Sequence, residues 1–174
     1  HAVMGPSCGL ILADLGAEVI RVEPKEGDST RRLRGFGIGL YPFYNRNKKS
    51  LAVNIKTDEG REIVNALVGT ADVLIENFGP GTMDRLGFGY EEMKRQNSKL
   101  IYASLKGFLK GPYEKRPAMD EVVQMMGGLA YMTGMPGQPT RAGASIIDIT
   151  GGMFAVIGIL TALYEREKTG EGKF

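Results

Sequence analysis

Short β-rich runs recur along this chain, each separated from the next by a segment with helical punctuation, and that alternation limits the folds open to it. "AEVIRVE" sets apolar Val19, Ile20 and Val22 among charges, and "SLAVNI", "ADVLIEN" and "KLIYASLKGF" follow as further runs of strand length. Brief runs rich in Val and Ile favour strands. Ahead of the first, "GPSCGLILADLG" carries Pro6 early and Gly16 late, with Leu10, Ile11, Leu12 and Leu15 between them, the order a helix prefers. Thr57 is placed to cap a helix with Asp58 and Glu59 in its first turn. Ile63, Val64, Leu67 and Val68 supply that helix with a buried stripe. Val122, Met125, Met126 and Leu129 share one face of a helix starting near Asp120, and residues 153–164 read as a buried helix. Residues 172–174 read as the start of another strand. The alternation predicts an α/β domain with a mainly parallel sheet.

Composition narrows the function. The chain has 174 residues, 43% hydrophobic, enough for one substantial core. A net charge of +2 argues against a dedicated nucleic-acid binder, whose basic residues would be in clear excess. The single cysteine, Cys8, forms no internal disulfide, which favours a reducing compartment such as the cytoplasm. No secretory signal is expected at the start, and the apolar run at 153–164 is short of the about 20 residues that span a bilayer. Metal is not expected, because His, Cys and acids do not cluster at ligand spacing.

Four features could carry chemistry. "GPSCG" leads into a helix and then a strand ending on Glu23, as a dinucleotide site would. Its glycines are spaced G-x-x-x-G, however, and ordinary helix–strand packing explains it better. In "ENFGPGTMDRLGF", Asn77 and Phe78 end a strand, Gly79 to Gly81 turn the backbone, and Arg85 offers a fork for phosphate. On spacing alone a plain strand-to-helix turn with a solvated arginine explains that segment better, because such turns are common. Asp120 opens a helix, where an N-cap or dipole-stabilised acid needs no further role. Asp148 stands among Ile146, Ile147 and Ile149, just before an apolar helix. It suits either a cap or a nucleophilic carboxylate, and chemistry alone does not choose.

Read together, "GPSCGLILADLGAEVIRVEP", "GDSTR", "NRNKKSLAVNIKTDEG", "ADVLIENFGPGTMDRLGFGY", "LIYASLKGF", "DEVVQMMGG", "AGASIIDITGGMFAVIGILTAL" and "KTGEG" resemble, in this order, the class III CoA-transferase family. That family includes formyl-CoA transferase and carnitine CoA-transferase. The resemblance implies an α/β, Rossmann-like large domain from an interlocked homodimer. Residues 1–174 would be its N-terminal part, without the first strand, the small domain and a glycine-rich covering loop. Coenzyme A would be substrate and carrier, with no permanently bound cofactor, no nucleic acid and no membrane. By the same resemblance Asp148 is the nucleophile, forming an acyl anhydride and then an aspartyl-CoA thioester, and Asp120 is the second catalytic acid. Val3, Met4, Val53, Lys56, Asn77, Phe78, Thr82, Arg85 and Leu86 would contact CoA.

Departures from the formyl-CoA transferase pattern are Val3 in place of Gln and Pro24 in place of a basic residue, for which Lys25, Arg31 or Arg32 would substitute. The family's α-methylacyl-CoA racemases carry His before the acid at the Asp120 position. Met119 stands there in this chain, whose only histidine is His1, so transfer is the expected reaction. Epimerisation is the alternative, and an inactive CoA-binding fragment is a third reading.

Overall fold

The computed structural model describes residues 2–174. Helix α1 (Met4–Asp14) leads into strand β1 (Val19–Glu23). The Gly-, Arg- and Tyr-rich stretch that follows holds two 3-10 turns, Ser29–Arg32 and Gly35–Gly39, and a short helix α2 (Leu40–Asn45). Strand β2 (Lys48–Ala52), helix α3 (Asp58–Thr70) and strand β3 (Val73–Glu76) come next, then short helices α4 (Thr82–Leu86) and α5 (Tyr90–Gln96). Strand β4 (Ile101–Ser104), helices α6 (Asp120–Met126) and α7 (Leu129–Thr133) and the long helix α8 (Ile146–Thr169) complete the order.

The strands are parallel, as the alternation predicts, but among the described residues they form two separate pairs and not one sheet. In one pair Val19 lies opposite Lys48 and Glu23 opposite Ala52. In the other Val73 lies opposite Ile101 and Glu76 opposite Ser104. The expectation of a single, mainly parallel sheet is therefore corrected. Lys173 extends the second pair: its carbonyl accepts the Tyr102 N–H at 2.8 Å, so the last residues do pair alongside β4.

Two apolar clusters hold the layers together. Cys8 and Leu12 of α1 meet Val156 and Ile159 of α8 and Leu105 after β4, with Val19, Val73 and Ile75 packed from the strands. Val68 of α3, Met93 of α5, Phe88, Leu100 and Tyr102 form the second cluster, with Val64 beside them. Each fully buried Leu, Met or Phe in such a cluster stabilises by about 1.5–3 kcal/mol relative to exposure. The Thr57 cap is present, its hydroxyl accepting the Gly60 N–H at 3.2 Å.

α8 and α1 approach closely because Gly152 has no side chain. A Cβ there would lie 2.8 Å from both the Met4 carbonyl oxygen and the Ser7 Cβ. α8 is also longer than its apolar run suggests, spanning 24 residues, enough by length and composition to cross a membrane. It is not buried all round: Gly152, Val156 and Ile159 face inward, whereas Met153, Phe154, Ile157, Leu160 and Tyr164 are exposed. α6 reverses its expected orientation too. Val122, Met125 and Met126 point outward while Asp120 and Gln124 are buried. Residues four apart share a helix face, and this polar pair has hydrogen-bond partners inside that make its burial tolerable.

Candidate active site

Asp148 sits within the first turn of α8, not before the helix, and the N-cap residue Ser145 makes no side-chain cap. The open amides of that turn are met from another helix. One carboxylate oxygen of Asp120 accepts the N–H of Ile147 at 2.8 Å and of Asp148 at 3.1 Å. Asp120 thus caps α8 and not its own helix, whose N-cap is Met119. Its other oxygen accepts from the Gln124 amide, with Arg141 at 3.8 Å. A carboxylate beside a helix N-terminus is favourable to α8. For Asp148 the neighbourhood is costly: burial, then the charges of Asp120 and Glu121, push its carboxyl above the ordinary aspartate range. The result is a half-buried acid on a fixed turn, poorly solvated when ionised, as a nucleophilic carboxylate needs to be.

The structure adds Tyr44 to this neighbourhood. Its phenol is shifted upward by burial and by the Asp148 charge. It belongs to α2, inside the aperiodic stretch after β1. That stretch is long for an idle loop, a hint of function that does not single out one residue.

The positions matched to CoA contacts fall into separate groups. Val3 is buried, and its carbonyl accepts from the Ser7 amide and hydroxyl at 2.7 and 2.9 Å. Met4 packs over Gly151 of α8, close to Asp148 in sequence. Asn77 joins these residues to the second strand pair, its side chain accepting from the Gly5 amide at 3.3 Å and donating to the Leu105 carbonyl at 2.9 Å. The Phe78 amide donates to Glu76 and its carbonyl accepts from Lys106. Further along, Arg85 donates to the Thr82 hydroxyl at 2.9 Å on the exposed side of α4, and Leu86 packs on the second apolar cluster. Val53 is buried after β2, whereas Lys56 is exposed.

Glu23 is not a free ribose-binding acid. It is buried and receives the Arg31 guanidinium at 2.8 and 2.6 Å, the Asp28 amide at 2.7 Å and the hydroxyls of Tyr41 and Ser50. Arg31, chiefly, holds its carboxyl far below the usual range. Arg31, committed to Glu23 and lying 3.9 Å from the Tyr41 ring centroid, is correspondingly tied down. Arg32 donates to the Glu26 carbonyl at 2.8 Å, and Lys25 is exposed. The "GPSCG" glycines serve packing instead: Gly9 lies against the Lys48 ammonium and Gly5 against Asn77.

An open cleft of about 350 Å³ runs between the end of β4 and the first turns of α8, lined by residues including Met4, Lys106, Ile147, Thr150 and Phe154. Asp148 neighbours this lining and is not part of it. Lys106 is held at its edge by the buried Glu76 carboxylate, at 2.6 and 2.8 Å. Among the described residues no group of His, Cys, Asp and Glu is placed to hold a metal ion.

Comparison with known proteins places the chain in a family. The model of CoA-transferase family III matches residues 1–174. The chain is 47% identical to an acetyl-CoA:oxalate CoA-transferase of Acetobacter aceti, covering 99% of this chain and 46% of that protein. It is 45% identical to a formyl-CoA:oxalate CoA-transferase of Streptomyces avermitilis, covering 99% and 44%. Among solved structures, a CAIB/BAIF family protein from Brucella suis superposes with a TM-score of 0.93 at 42% identity, over 99% of this chain and 48% of that one. A hypothetical protein from Mycobacterium tuberculosis gives 0.88 at 37% identity, over 98% and 48%. The chain spans about half the length of the relatives it matches. With a match along its whole length and close relatives on both counts, the chain belongs to CoA-transferase family III.

Proposed function

We propose that the full-length protein moves coenzyme A from an acyl-CoA to a free carboxylic acid, with Asp148 as nucleophile. The observation that carries this reading is the pairing of Asp148, half-buried on the first turn of α8, with Asp120, which holds that turn by its amides. An Asp148 oxygen attacks the thioester carbonyl, giving an aspartyl-acyl anhydride and releasing CoA thiolate. The thiolate attacks the aspartyl carbonyl, expelling the first acid as its carboxylate and leaving CoA on Asp148 as a thioester. The incoming carboxylate attacks that thioester carbonyl, and the freed thiolate takes the new acyl group from the second anhydride. Asp148 ends as it began. Keeping the acyl energy in enzyme-bound intermediates demands that water be excluded, which suits a partly desolvated acid.

Relatives named for oxalate with acetyl-CoA or formyl-CoA make oxalate the first acceptor to test. CoA enters as substrate across Val3, Met4, Val53, Lys56, Asn77, Phe78, Thr82, Arg85 and Leu86, with no permanent cofactor. The exposed face of α8 suits cover by the remainder of the chain and by a second subunit, in the interlocked homodimer. The reading includes a cytoplasmic location, where acyl-CoA is made and used. A racemase needs an acid/base group on each side of the α-carbon. The residue before Asp120 is the exposed Met119, which supplies none, and His1 lies outside the described residues.

The test uses full-length protein incubated with acetyl-CoA and oxalate, quenched, digested and mapped by mass spectrometry. A CoA adduct on the Asp148 peptide, absent from Asp148→Ala, is expected. No adduct, with deuterium entering the α-carbon of a 2-methylacyl-CoA in heavy water, would sink the reading in favour of epimerisation.

A further inference from the structure

Gln124 is a fully buried polar side chain in the middle of α6, at 0% exposure, and its hydrogen bonds go to the site. Its Nε2 donates to the Asp120 carboxylate and, at 3.3 Å, to the Ala144 carbonyl. Its Oε1 accepts the Ala142 amide at 2.7 Å. This orientation of the amide is dictated by its partners, since an N–H faces one end and two acceptors face the other. Residues 142–144 run directly into Ser145, the N-cap of α8. One amide group therefore grips the approach to α8, while the carboxylate it also grips holds the first turn of α8 at Ile147 and Asp148.

We infer that Gln124 is a positioning residue of the transfer reaction, locking Asp120 and residues 142–144 so that the first turn of α8 presents Asp148 in one place. The inference rests on the CoA-transfer reading above. Packing alone does not call for an amide here. A methionine of similar length would fill the space, but it would leave the buried Asp120 oxygen and the Ala142 amide without this partner. Without the Gln124 N–H, the Asp120 oxygen it serves would turn toward Arg141, at 3.8 Å, drawing its other oxygen away from the α8 amides. The charged and titratable groups facing this corner are Asp120, Glu121, Arg141, Asp148 and, beside Asp148, Tyr44. Displacing a reacting group by about 1 Å costs on the order of 100-fold in rate.

Two variants of the full-length protein test this. Gln124→Met removes every hydrogen bond at near-constant volume, and kcat falls about 10- to 100-fold with KM for acyl-CoA within about twofold. Gln124→Glu keeps an acceptor for the Ala142 amide but sets a second carboxylate against Asp120, and the acid limb of kcat moves to higher pH. A Met variant with wild-type kcat, or a Glu variant with an unmoved acid limb, overturns the inference. So does a failure of both variants to fold, which would make Gln124 a residue of the fold and not of the site. Wild-type protein that transfers no CoA takes down the underlying reading; wild-type transfer matched by the Met variant overturns the inference alone.

Discussion

Asp120 accepts the backbone N–H of Asp148 at 3.1 Å, so the two acids of the site are joined through the main chain while their charges oppose one another. One carboxylate both holds the other's helix turn and raises its proton affinity. The two effects separate by mutation.

Asp120→Asn keeps an oxygen for the α8 amides and removes the charge. Since the Asp120 charge pushes the Asp148 carboxyl up, its removal lets that carboxyl fall, and the acid limb of kcat moves to lower pH. Asp120→Ala removes the cap as well, at about 1 kcal/mol, and lowers kcat further than Asp120→Asn does. pH–rate profiles of the three full-length proteins check both statements.

The same displacement makes a stability prediction. A carboxyl raised above its unfolded value binds its proton more tightly in the folded protein, so folding is penalised once Asp148 ionises. The penalty is complete above the folded-state pKa and fades as pH falls through it. Asp148→Asn therefore raises Tm by a few degrees at neutral pH, and the gain shrinks in mild acid. Thermal denaturation at the two conditions measures it.

Glu23 behaves in the opposite sense. Held down mainly by Arg31, its carboxylate stabilises the fold above the ordinary glutamate range, and this contribution is lost only as pH falls through its depressed folded-state pKa. Glu23→Gln lowers Tm by several degrees at neutral pH and frees the Arg31 guanidinium from the end of β1. The gap between variant and wild type narrows in strong acid. An unchanged Tm would mean that the cluster of Arg31, Tyr41, Ser50 and the Asp28 amide contributes nothing net.

Gly152→Ala places a Cβ 2.8 Å from the Met4 carbonyl oxygen, so α8 must move off α1. Overpacking of this kind costs about 1–3 kcal/mol. Because the shift begins one turn from Asp148, kcat falls along with Tm. Gly158→Ala, inside α8 with nothing within 4 Å of its Cβ, leaves kcat unchanged and raises Tm slightly, as alanine does in a helix interior, and serves as the control.

Local signals were strong where backbone chemistry is local. The strand at Val19, the Thr57 cap with its acidic first turn and the parallel pairing of the strands were legible, because period, capping and alternation act over a few residues. The run "SLAVNI" lies partly beyond β2, which ends at Ala52. The buried face of α6 is not legible from the pattern, where four apolar positions outweigh two polar ones. Asp120 and Gln124 turn inward since their partners, residues 142–148, come from more than a dozen residues away.

The α/β alternation and the family are written in motifs and residue order, which carry that information without contacts, and Asp120 and Asp148 are marked there as candidates. Folding adds the rest: Asp120 caps α8, Gln124 holds Asp120, Tyr44 feels the Asp148 charge, and Glu23 is occupied by Arg31. Each of these depends on which distant groups share a few ångströms of poorly hydrated space. Hydrogen bonding and desolvation act at that range and leave no period in the chain.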